Sequence, residues 1–149
     1  MPQFMLNTPT RASLYDALDT FTKGYIEAMF FTNCDSGDDD EHKANRLGVQ
    51  RLTRESIVTI ADECKRFWQA NETDLQAAME LEPGSESFRY AKEELDETRL
   101  GHFFWYARQG HGVGFDDDGD SPILERLQEA GRNFGESYPE IYNGWIYVR

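Results

Sequence analysis

Apolar residues recur at helical spacing through much of the first hundred positions. Leu14, Leu18, Phe21, Tyr25 and Met29 fall three or four residues apart, which predicts one amphipathic helix over 9–31, with Asp16, Asp19 and Lys23 off the stripe. Thr8 would cap it and Pro9 would take the first helical position. Ile57, Ile60, Ala61, Cys64, Phe67 and Trp68 mark a second helix over 54–70, capped by Thr53, with Cys64 as a small core residue. Thr73 and Gln76 have capping-box spacing and open a short third helix that ends before Pro83. A fourth, over 86–99, has Phe88, Tyr90, Ala91 and Leu95 as its apolar residues.

The pattern changes near residue 102. His102 to Arg108 is a dense aromatic run, which favours a strand. The glycines around His111 then suit a reversal, and Val113 to Asp116 a return strand. Ser121-Pro122 opens another helix, with Ile123, Leu124, Leu127, Ala130 and Phe134 inward and Gly135 as its stop. Asn143-Gly144 between aromatic and β-branched runs is a strong hairpin signal. The predicted fold class is α+β, a single domain over 1–149. Residues 9–99 would be mainly helical and 102–149 hairpin–helix–hairpin, so that helices pack on a small antiparallel sheet made of two hairpins. Trp105, Phe115, Trp145 and Tyr147 are the expected sheet aromatics.

The charge changes what such a fold is expected to do. In 149 residues, 28 acids oppose 15 bases, for a net charge of −13. That weighs against direct binding to nucleic acid, which depends on cations at phosphates. The acids are clustered: residues 35–42 hold five, 72–82 four, 86–97 five and 116–120 four. Residues 43–54, in contrast, carry four bases and no acid, and these would pair internally with acidic neighbours. Any one cluster reads as a solvated loop or face. Together they could form a surface resembling nucleic acid, provided they converge. Duplex DNA carries one charge per ~1.7 Å, so this net charge matches only ~22 Å of duplex, against roughly 35–40 Å for the domain's width. Mimicry would be partial and local.

No apolar run approaches the ~20 residues needed to cross a bilayer, so no membrane partner is expected. The N-terminus lacks the pattern of a secretory signal. Cys34 and Cys64 form no CxxC pair, which suits a reducing cytoplasm. No Walker A, GxSxG, HExxH or zinc spacing occurs, and the acidic runs miss the spacing of a Ca²⁺ loop, so no metal or cofactor is expected.

The stretch Gly101 to Phe115, with its aromatic run, Arg108, Gly110-His111-Gly112 and Gly114-Phe115, resembles a pattern in small, uncharacterised proteins of tailed bacteriophages. The likeness covers roughly residues 90–148, including the Tyr-rich final hairpin. It departs from that pattern at Phe103 and Asp116. It implies a phage origin and no chemistry. The leading expectation is therefore a non-enzymatic phage protein in the host cytoplasm that binds a basic surface of a host protein, such as a nucleic-acid-binding defence or regulatory factor, and inhibits it. Asp38, Asp39, Asp40, Asp116, Asp117 and Asp118 are its candidate contacts. One alternative is a small enzyme or ligand-binding domain using Arg108, His111 and Asp116 for acid–base work or anion binding, against a plain reading of His111 as an exposed turn residue. Another is a self-associating structural or accessory protein whose sheet aromatics make an isologous dimer.

Overall fold

A computed structural model describes residues 10–32, 48–110 and 112–149. Its described elements are five α-helices and one two-stranded antiparallel sheet, an α+β architecture. Helix α1 is Arg11–Asp16, α2 Thr20–Thr32, α3 Arg54–Met79, α4 Glu97–Gln109 and α5 Pro122–Phe134; strands β1 and β2 are Glu140–Tyr142 and Trp145–Tyr147.

The N-terminal stripe divides into two helices. Thr10 caps α1 with a reciprocal Ser13 capping box, and Asp19 accepts from the Thr22 N–H at 2.7 Å to start α2. The second and third expected helices merge into α3, which kinks at Asn71, whose side chain bonds back to the Phe67 carbonyl at 2.9 Å.

The largest departure lies at 86–109. Residues 86–88 form only a 3-10 turn, and the helix begins later, at Asp96, whose carboxylate accepts from the Arg99 N–H at 2.8 Å. The run 102–108, expected as a strand, is the body of α4, so the first hairpin does not form. Residues 113–118 are bends and turns rather than a return strand. Helical periodicity outweighed β propensity. Leu100, Phe104 and Ala107, with Gly101, Trp105 and Arg108 beside them, repeat at 3.6 residues and are buried. Asp96 caps one end, and Gly110 closes the other in the left-handed region, with φ 68°. Accordingly Trp105 and Phe115 are core residues, not sheet aromatics.

The α2–α4 crossing is close because two glycines face backbone. A Cβ on Gly24 would collide with the Thr98 carbonyl, and one on Gly101 with the Phe21 carbonyl. Around this seam, Phe67 stacks on Phe104 with centroids 3.9 Å apart, and Phe21, Phe115 and Phe134 extend the aromatic cluster. Trp105 is fully buried and donates its indole N–H to the Thr32 hydroxyl at 2.7 Å.

Helix α5 and the final hairpin form as expected. Ser121 caps α5 with Pro122 in the first turn, and Asn143 and Gly144 turn the hairpin with φ 52° and 78°. Ile146 of β2 also bridges Leu52, and Ser56 clamps the strand to α3 by accepting from the Val148 N–H at 2.7 Å and donating to the Ile146 carbonyl at 3.2 Å. No helix among the described residues is long and apolar enough to cross a membrane.

Candidate functional site

The acidic loop after α4 is held at two buried points. Phe115 is sunk in the core, and its N–H bonds the buried Gln128 side chain at 2.9 Å. Gly119 lies flat on the Ser87–Phe88 backbone, where a Cβ would collide with the Ser87 carbonyl. Between these anchors, Asp116 and Asp117 are exposed and Asp118 is half-buried. The Asp118 carbonyl accepts from the Tyr90 N–H at 3.0 Å, and its carboxylate lies 3.7 Å from Arg99.

This seam ties the loop to the other acid-rich segment. Glu86, Glu93, Glu94, Asp96 and Glu97 are all exposed. Asp118 and Glu93 line one open depression of about 320 Å³ with Lys92 and Arg99. Asp120 and Glu86 line another of about 480 Å³ with Arg89. Residues 86–99 and 116–120 together hold nine acids against three bases. Partial burial, and after it the neighbouring carboxylates of Asp116 and Asp118, raise the Asp117 pKa above its ordinary value. Tyr90, 66% exposed, lies in this region with the Arg89 guanidinium over its ring. Tyr90, one of the apolar residues of the expected fourth helix, is exposed instead, and its N–H bonds the loop.

Asp38, Asp39 and Asp40 lie outside the described residues, as does His111. Arg108, grouped with His111 and Asp116 from sequence, points into the core instead of lining a hairpin. Its guanidinium donates to Glu63 at 2.7 Å, to the Tyr25 hydroxyl at 3.0 Å and to the Gly135 carbonyl at 2.6 Å, and lies over the Phe134 ring. No ion pair joins it to Asp116. Burial alone would lower the Arg108 pKa, but Tyr25 and Glu63 more than reverse this. Burial also pushes the Tyr25 hydroxyl and the Cys64 thiol up, so both stay protonated and Cys64 is inert as a nucleophile.

Glu63 was missed from sequence, although it sits on the same face of α3 as Ile60 and Phe67. A carboxylate on an apolar stripe was the available signal for a buried ion pair. Among the described residues, no group of three or more His, Cys, Asp or Glu is placed to hold a metal ion. Comparison with protein families, curated proteins and solved structures finds no match to this chain.

Proposed function

We propose that this chain is a non-enzymatic, acidic phage protein that acts in the host cytoplasm by binding a basic surface on a host protein. The nucleic-acid groove of a defence or regulatory factor is the kind of surface it fits. One observation carries the reading: acids from 86–99 and from 116–120 are fastened together by buried anchors, with most of their side chains exposed. A loop merely keeping the protein soluble needs no such fastening. Fixed, crowded carboxylates give a pre-formed negative field, which speeds association with a cationic partner and makes it salt-sensitive. The self-association reading loses two of its aromatics, because Trp105 and Phe115 are in the core. The acid–base reading loses Arg108 to Glu63.

Affinity capture from host lysate tests the proposal, with wild type beside a variant carrying Asp116→Asn, Asp117→Asn, Asp118→Asn and Asp120→Asn. A partner retained by wild type at low salt, released at high salt and absent with the variant is expected. A partner held equally by both proteins, or no partner at either salt, would overturn the reading.

A further inference from the structure

A separate open cavity of about 540 Å³ is lined by α1, α2 and residues 48–49. That volume lies in the ~300–1,000 Å³ range of small-ligand sites. Buried Phe30 and exposed Phe31 line it from α2, and Tyr15 lines it from α1. The Arg11 guanidinium donates to the Val49 carbonyl at 2.9 Å and so fastens the third side to α1.

Two charged side chains share this lining, Lys23 and Glu27. They stand one turn apart on α2, yet no ion pair joins them among the described residues. Lys before Glu is the weaker order for such a helical pair. The Lys23 ammonium lies 5.6 Å from the Tyr15 ring centroid and donates to the Asp16 carbonyl at 3.3 Å. An ammonium has three donors, so that bond leaves it capacity for a carboxylate. Glu27 stands 3.4 Å from Nε2 of His102, with no hydrogen bond between them. Burial first, and then the Glu27 charge, raise the Tyr15 pKa, so carboxylate and phenol feel each other across the same space.

A cation, an anion and three aromatic rings thus border one cavity whose described lining has no net charge. Simpler ligands leave part of it unanswered. A polyanion meets Glu27, and an organic cation meets Lys23. A neutral apolar molecule desolvates both charges and pairs neither. We propose that this cavity binds a free aromatic α-amino acid. Its carboxylate pairs with Lys23, its ammonium with Glu27, and its ring lies against Phe30 and Phe31. Edge-on and offset-stacked contacts favour that ring over an aliphatic side chain. None of the acidic surface's residues takes part, so the site stands or falls independently of that surface.

Isothermal titration of the full chain with L-phenylalanine tests the proposal. Saturable binding is expected, weakened about tenfold by Lys23→Met and by Glu27→Gln. The ligand supplies a second series that needs no variant protein. With wild type, 3-phenylpropionate lacks the ammonium and 2-phenylethylamine lacks the carboxylate, and each should bind about tenfold more weakly than phenylalanine. Glu27→Gln should not weaken 3-phenylpropionate further, because that ligand has no ammonium to lose. L-leucine should bind more weakly than phenylalanine. No saturation with phenylalanine would overturn the proposal. So would leucine or either singly charged ring compound binding as tightly, or phenylalanine binding that both substitutions leave intact.

Discussion

Arg108 joins three interior polar groups. It satisfies a helix-end carbonyl at Gly135, a buried phenol at Tyr25 and a buried carboxylate at Glu63. Removing it would strand Glu63, whose second carboxylate oxygen already has no hydrogen-bond partner among the described residues. Arg108→Leu is expected to cost about 3–5 kcal/mol in denaturant unfolding. Adding Glu63→Leu should recover a substantial part, because the double variant leaves no unpaired charge. If the double variant is as unstable as the sum of both single changes, the pair is not coupled. Asp117 makes an opposite, smaller prediction. Its raised pKa means that the folded state disfavours the ionised form; the resulting stability is present below the unfolded pKa and lost as pH rises through the folded one. Asp117→Asn should therefore stabilise near neutral pH, by about 0.5 kcal/mol or less. Melts at acidic pH should show no gain.

At the scale of elements, α4 shows what the sequence made legible and what it hid. Helix α5 and the last hairpin were readable because cap, period and turn residues agreed: Ser121-Pro122 opens one, and Asn143-Gly144 turns the other. In α4 the signals conflicted. Four aromatic side chains in succession, Phe103 to Tyr106, suggested a strand, while Asp96, Glu97 and Gly110 marked a helix start and stop. Packing decided the outcome, because only the helix buries Leu100, Phe104 and Arg108 together against α2, α3 and α5. The close crossing with α2 was hidden as well, since Gly24 reads as a weak point in a helix rather than a contact. Gly101→Ala, which improves helix propensity, should nonetheless destabilise by about 1–3 kcal/mol, because the added methyl meets backbone that cannot yield. An unchanged or raised melting temperature would contradict so close a crossing.

On the scale of the whole molecule, charge is organised rather than merely abundant. Part of it stabilises: Asp74 takes both hydrogen bonds of Arg126, and that bonding holds its carboxyl below the usual range. This contribution is present above the unfolded pKa and is lost as pH falls through the folded one. The nine acids at 86–99 and 116–120 make one ion pair among the described residues, the loose Arg99–Asp118 contact. The sequence displayed these runs but not their meeting, which depends on Gly119 fitting against Ser87 and on Phe115 reaching the core. Neither residue carries charge, and so neither stood out in a reading of charge clusters.

Isothermal titration of the protein with an arginine-rich helical peptide, at low and at high ionic strength, tests the docking role of this surface most directly. Saturable binding at low salt is predicted, weakened at least tenfold by high salt and by neutralising Asp116, Asp117, Asp118 and Asp120 together, but untouched by Asp62→Asn, an exposed carboxylate of α3 paired with Arg66. Binding that survives the fourfold neutralisation, or that Asp62→Asn weakens equally, would contradict a localised acidic docking surface.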